Sequence, residues 1–138
     1  MPPTDFFGFL ARSIDLLKQE SCENYERMAT ELQGVHTSVS TGTNERLIWF
    51  DDGQFAMETD PADADVWVEF EEPAVLDLID GKFSLEQAVI GGDIFIKGNV
   101  RTIEKFHTAL TAYLNGALRS PGFPALLADY RRTLCLGE

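Results

Sequence analysis

Apolar residues at helical spacing dominate the first third of the chain. They recur at intervals of four, four and three residues, which places them on one face of a helix: Phe6, Leu10, Ile14 and Leu17. Thr4 or Asp5 is the expected N-cap of this helix. A second amphipathic helix is predicted from residue 20 or 21 to a stop at Gly34. Residues 1–33 are therefore interpreted as a pair of N-terminal helices.

The middle of the chain changes to the two-residue period of β-strands. Four short strands are predicted at residues 35–40, 46–50, 54–59 and 64–70. The dipeptide Asp52-Gly53 predicts a tight hairpin between the second and third strands, because both residue types tolerate positive φ. In the fourth strand Val66, Val68 and Phe70 are expected to face the core, and Trp67 to face the opposite side.

The last part of the chain returns mainly to helical spacing. Two short helices are predicted after Pro73 and after Ser84, the second with a capping box of Ser84 and Gln87. A fifth strand at 93–97, a long helix at 100–118 and a terminal helix at 125–134 follow. Helices grouped around consecutive strands favour an α+β fold in which helices cover one face of a sheet. The connection before the fifth strand is long enough for that strand to pair parallel to a neighbour.

Length and charge narrow the class of protein. A chain of 138 residues corresponds to one domain, and its formal net charge is −12. Binding to nucleic acid and unaided docking on anionic lipid are disfavoured, because both require a basic surface. No targeting signal or membrane-spanning run is evident, and Cys22 and Cys135 are expected to be reduced thiols. These features predict a cytoplasmic protein without an integral membrane segment.

The chain offers few residues suited to catalysis or metal binding. The two histidines, His36 and His107, lie in no motif of known chemistry, and the many carboxylates are interpreted as a solvated acidic face. There is no calcium loop, phosphate-binding glycine loop, nucleophile elbow or zinc-binding His-Glu-x-x-His motif. We predict no catalytic residue, no metal site and no cofactor. The many large apolar side chains either fill the core or surround a cavity, and periodicity does not separate these cases.

Residues 64–99 contain, in order, an Ala-Asp-Val strand at 64–70, Gly81-Lys82 after a short helix, Ala88 in a second short helix, and Gly98-Asn99 after a strand. In this order and spacing, these features resemble the sterol carrier protein type-two family. The order of elements agrees over most of the remaining chain. Asp93 is a departure, since the family often has Lys there, and the helices at both ends are extensions. These extensions are expected to cap a tunnel, form an interface or fill the cavity.

The resemblance implies a five-stranded, mostly antiparallel sheet covered on one face by helices. It also implies a hydrophobic tunnel that binds and transfers a fatty acyl, isoprenoid or sterol-like molecule. The whole chain, 1–138, is interpreted as one lipid-binding domain with its core at 34–118 and a C-terminal helical extension at 119–138. Eight residues are predicted to line the tunnel: Phe55, Phe70, Phe83, Val89, Ile94, Phe106, Leu110 and Tyr113.

Two other functions remain open alongside the lipid carrier. One is a cofactor-free enzyme that acts on a hydrophobic intermediate in the same cavity, with His107 and Tyr113 as candidate groups. These two residues are six apart on one helix, which leaves them about 120° from a shared face. The other is an accessory or scaffold domain of a lipid-related enzyme complex. The expected partners are an apolar ligand and either a second copy of the chain or a partner enzyme.

Overall fold

The computed structural model describes residues 5–42, 44–59 and 63–136 and has an α+β architecture. The elements, in chain order, are α1 (Phe6–Glu20), α2 (Cys22–Leu32), β1 (Thr37–Ser40), β2 (Glu45–Asp51), β3 (Gln54–Glu58), β4 (Val66–Phe70), α3 (Glu72–Ile79), α4 (Leu85–Ile90), β5 (Ile94–Gly98), α5 (Val100–Arg119) and α6 (Phe123–Leu136). The predicted fold class is confirmed. The last helix begins two residues before the predicted position, since its Pro124 is tolerated within a first helical turn.

The five strands form one sheet in the order β3-β2-β1-β4-β5. Three of the four strand pairs are antiparallel, so the mostly antiparallel sheet is confirmed. The suggestion of a parallel fifth strand is wrong, because β5 pairs antiparallel with β4. The parallel pair is instead β1 with β4. The β2–β3 hairpin occupies one edge of β1. Strand β4 pairs with the other edge and runs parallel to β1.

The two faces of the sheet differ in their surroundings. In β4, Val66, Val68 and Phe70 are buried beneath the helices, whereas Trp67 is 41% exposed on the opposite face. The predicted facing of this strand is therefore confirmed. The outer face also carries Phe95, which is 57% exposed.

Local sequence signals determine the ends of several elements. The Asp5 carboxylate accepts a hydrogen bond from the Gly8 N–H at 2.8 Å and caps α1, while the alternative cap, Thr4, lies outside the described residues. Asp52 and Gly53 have φ values of 51° and 77°, as the tight hairpin turn requires. Ser84 and Gln87 form the predicted capping box of α4.

Two further predictions concern the cysteine thiols and the absence of a membrane-spanning segment. Cys22 is exposed and free, whereas the side chain of Cys135 lies outside the described part. Among the helices that the structure describes, none combines the length and apolar character needed to cross a bilayer.

Candidate functional site

An apolar cavity of about 120 Å³ lies between the sheet and the helices that cover it. Side chains from four strands form its floor: Val39, Ile48, Phe50, Val68, Phe70 and Ile94. The strand register places these residues side by side, since Val39 pairs with Val68 and Phe70 pairs with Ile94. The alternation of the strands therefore turns one apolar row from each strand toward a single space.

Helix α5 forms the centre of the roof. Its lining residues recur at intervals of three, one, three and one, which keeps them on one helix face: Phe106, Ala109, Leu110, Tyr113 and Leu114. Helices α1 and α2 add Phe6, Phe9, Leu10, Ile14, Met28 and Leu32. Nearly all of this wall is aliphatic or aromatic, so hydrocarbon is the chemistry that it matches.

Tyr113 contributes the one hydroxyl among the lining residues, and this hydroxyl is already bonded. Its oxygen lies 2.7 Å from Ser13 Oγ, and both side chains are buried. The Ser13 hydroxyl also lies 2.8 Å from the Leu10 carbonyl, so both hydroxyls have hydrogen-bond partners. Burial raises the pKa of Tyr113 to about 12, with the Ser13 hydrogen bond acting in the opposite direction. Tyr113 therefore stays uncharged at neutral pH.

Helices α3 and α4 form a cover over one part of the cavity. They contribute four partly buried aliphatic side chains to the wall: Val75, Leu78, Ile79 and Leu85. Asp80 at the end of α3 pairs with Arg131 of α6, and Glu86 of α4 lies 2.8 Å from His107 Nε2 of α5. The pKa of Glu86 is lowered, first by its own backbone N–H and then by the Ser84 hydroxyl, with His107 adding a smaller effect. Such exposed pairs stabilise weakly, so the cover is held mainly by apolar contacts, among them those of the buried Ala74 and Ala88.

An aromatic cluster closes the cavity where α1 meets α6. Phe6 and Phe9 belong to the wall, and behind them lie Phe123 and Tyr130 of α6. Phe9 stacks on Tyr130 with ring centroids 4.5 Å apart and planes within 10° of parallel. The first and last helices of the structure thus build one closed end together.

The structure brings five of the eight predicted lining residues to the cavity: Phe70, Ile94, Phe106, Leu110 and Tyr113. The other three lie outside its wall. Phe55 sits on edge strand β3 against Phe50, with centroids 5.5 Å apart, and Phe83 lies in the turn between α3 and α4. Val89 is 39% exposed, because the buried face of α4 is the one that carries Ala88.

Capping of the tunnel was one of the roles predicted for the N-terminal helices, but none of their residues was predicted to line the wall. The stripe of Phe6, Leu10 and Ile14 was visible in the sequence, but it identified only a buried helix face. Tertiary packing determines which residues face this stripe across the cavity. Phe9, a large aromatic residue beside the centre of that stripe, was the sequence feature that could have indicated a role in the wall.

The residues proposed for catalysis do not meet. Tyr113 hydrogen-bonds to Ser13 inside the wall, whereas His107 pairs with Glu86 outside it. His36 stacks on Trp49 on the outer face of the sheet, with centroids 5.5 Å apart. Within the residues that the structure describes, no group of three or more His, Cys, Asp or Glu side chains could hold a metal ion.

The chain is similar in sequence and fold to known proteins. The sequence model of the SCP-2 sterol transfer family matches residues 14–111. The solution structure of sterol carrier protein domain 2 of Helicoverpa armigera is 20% identical, with a TM-score of 0.56, and the match covers 82% of this chain and 92% of that chain. A structure named UbiJ-SCP2 ubiquinone synthesis protein is 19% identical, with a TM-score of 0.55, and the match covers 71% of this chain and 82% of that chain. No curated protein sequence matches significantly.

Proposed function

The chain belongs to the SCP-2 sterol transfer family, and on that premise we propose that it carries the hydrocarbon part of a lipid in the cavity beneath α5. The ligand is a fatty acyl, isoprenoid or sterol-like molecule. The observation that carries this proposal is the apolar wall, in which Tyr113 supplies the single hydroxyl and this hydroxyl is already hydrogen-bonded to Ser13. Five of the predicted residues take part: Phe70, Ile94, Phe106, Leu110 and Tyr113.

The hydrophobic effect is sufficient to hold such a ligand. Each methylene removed from water contributes about 0.8 kcal/mol before the costs of association are subtracted. A polar atom inside the cavity would lose its hydrogen bonds to water and find no free partner in the wall. The polar end of the lipid is therefore expected at the surface, with the chain inside.

The size of the cavity favours a flexible chain over a rigid ring system. Its volume of about 120 Å³ is somewhat smaller than that of an engineered apolar cavity of about 150 Å³ that takes up one benzene molecule, so only a few carbon atoms of a ligand fit without rearrangement. A longer ligand requires the cover of α3 and α4 to move outward. A chain can enter stepwise as the cover moves, whereas a fused ring needs the full space at once. Acyl and isoprenoid lipids are accordingly the preferred ligand classes.

Native mass spectrometry of the protein as purified tests this proposal, followed by organic extraction of anything released. A bound lipid in stoichiometric amount is the expected result. A clean mass of the protein alone, with no uptake of added fatty acids, isoprenoids or sterols, would refute the carrier function.

A matched pair of variants locates the binding. Phe106→Ala removes part of the wall and is expected to weaken lipid binding about tenfold, from the loss of a partly buried ring. Trp67→Ala removes an aromatic side chain on the outer sheet face and is expected to leave affinity unchanged. Equal effects of the two substitutions in a lipid titration would place the ligand elsewhere.

An accessory role in a lipid-related enzyme complex is a second candidate. It is favoured by the outer sheet face, where Trp67 and Phe95 are exposed and flank Lys97. The solved neighbour named as a ubiquinone synthesis protein shares this fold. A partner enzyme that binds the wild type and the Phe106→Ala variant equally, but not Trp67→Ala, would support this role.

A further inference from the structure

The closed end of the cavity is built by residues outside the segment that matches the family. The match covers residues 14–111, whereas Phe6 and Phe9 precede it and Phe123 and Tyr130 follow it. Phe6 and Phe9 face the cavity, and neither Phe123 nor Tyr130 does. The terminal helices of this chain therefore add a boundary to a cavity that the matched segment alone does not close on this side.

Phe9 stands at the centre of this boundary. It is 1% exposed, its ring stacks on Tyr130, and Phe123 approaches it with a centroid distance of 6.0 Å. Cavity lies on one side of the Phe9 ring and α6 lies on the other. Because Tyr130 and Phe123 fill the space behind the ring, Phe9 cannot move away from the cavity.

A partly buried hydrogen-bond junction fixes α6 in place behind Phe9. Glu72 Oε1, at the start of α3, accepts from the Phe6 N–H at 3.0 Å and from the Tyr130 hydroxyl at 2.9 Å. One carboxylate oxygen thus joins α1, α3 and α6. Phe6 also packs edge-on against Phe70, with centroids 5.0 Å apart, which connects this end to the sheet.

The opposite end of the cavity lies at Phe50. Thr37 pairs with Ile48 on one side and with Val66 on the other, so Ile48 is level with Val66 at the beginning of β4. Strand β2 runs antiparallel to β4, which places Phe50 beyond that level and away from Phe70. The floor of the cavity therefore includes Phe50 at one end of the strands and Phe70 at the other, where Phe6 packs.

We propose, given the carrier function above, that Phe9 sets the length of the hydrocarbon chain that the cavity accepts. A chain that lies along the strands ends against the Phe9 ring, and Tyr130 prevents that ring from moving away. Phe9 acts as a specificity-determining residue because it limits the space, without any polar contact to the ligand.

Truncation of Phe9 should extend the cavity toward α6. Phe9→Ala would open a space on the order of 100 Å³, comparable to an engineered apolar cavity that takes up benzene, which corresponds to about three methylenes. Each additional methylene accommodated should raise affinity about fourfold. The preferred chain length is thus expected to increase by about three carbons.

The test loads the full chain with an equimolar mixture of straight-chain alcohols from hexanol to hexadecanol. The bound species are measured by native mass spectrometry for the wild type, Phe9→Ala, and the milder truncation Phe9→Leu. The wild type is expected to select one narrow range of lengths, Phe9→Ala to select longer chains, and Phe9→Leu to shift by about one carbon. Phe9→Leu preserves most of the packing and provides the result if the alanine variant does not fold.

Phe123→Ala is the matched control, because it removes a ring of the same cluster that does not face the cavity. It should lower thermal stability and leave the selected length unchanged. If the wild type binds alcohols but Phe9→Ala and Phe9→Leu select the same lengths as the wild type, the role of Phe9 is refuted and the carrier function stands. An equal shift in Phe123→Ala would also refute it. If the wild type binds no alcohol of any length, the carrier function itself fails.

Discussion

Replacing Gly116 by alanine should destabilise the protein, although alanine is the better helix former. Gly116 lies buried within α5, where it faces α1 and α2. A Cβ added there would be 2.5 Å from Leu17 Cδ1 and 2.9 Å from Asn24 Cβ. Leu17 is buried and the Cβ of Asn24 is fixed to the backbone of α2, so neither can move without shifting a helix.

Two opposing contributions decide the sign of this change. The gain in helix propensity from glycine to alanine is at most about 1 kcal/mol. Overpacking a close contact costs about 1–3 kcal/mol, and the approach of Asn24 Cβ below 3.0 Å places this site at the upper part of that range. We expect a net loss of about 1–2 kcal/mol in the free energy of unfolding. For a domain of this size that corresponds to a decrease of roughly 3–7 °C in Tm.

Urea denaturation and thermal unfolding of Gly116→Ala measure this loss. Asn115→Ala is the control, since Asn115 is an exposed neighbour on α5 and its replacement gains propensity of about 0.5 kcal/mol without a new contact. Stability of Gly116→Ala equal to or above that of the wild type would refute the reasoning.

Two further substitutions test the buried hydroxyls. Unfolded tyrosine loses its proton near pH 10, whereas the pKa of Tyr113 in the folded protein is raised to about 12 by burial, so stability falls as pH rises between these values, by up to about 3 kcal/mol. In urea titrations, Tyr113→Phe should be about 1 kcal/mol less stable than the wild type at pH 7. It should also lose less stability than the wild type between pH 10 and 12. A loss of stability over this pH range equal to that of the wild type would contradict the reasoning. Tyr130→Phe removes the hydroxyl that donates to Glu72 and should cost about 1.5–2 kcal/mol by the same method, with a loss below about 0.5 kcal/mol counting against the junction.

Local signals in the sequence were sufficient to predict most of the helices and strands. The capping box at Ser84 and the Asp52-Gly53 turn are decided within a few residues, and both occur as predicted. The alternation in β4 likewise gave its facing, because a one-residue shift would bury Trp67 and expose Val68. The order of these signals also carried the family resemblance.

Strand pairing and the cavity wall were decided by contacts between distant parts of the chain. No local pattern distinguishes β1 from β5 as the parallel partner of β4, since the choice depends on which sheet edge the β2–β3 hairpin leaves open. Val89 and Ala88 are neighbours on α4, and only the packing of α4 on β5 determines that Ala88 is buried and Val89 exposed.

The sequence by itself determined that the chain forms amphipathic helices and half-buried strands with a large apolar surplus, because periodicity depends on neighbours only a few residues apart. The tertiary structure decided that this surplus surrounds a small cavity, and that Phe9 and Tyr130, far apart in the chain, close one end of it. Whether apolar side chains fill a space or surround it depends on the distance between packed elements. That distance is set by residues such as Gly116, through contacts that no local pattern encodes.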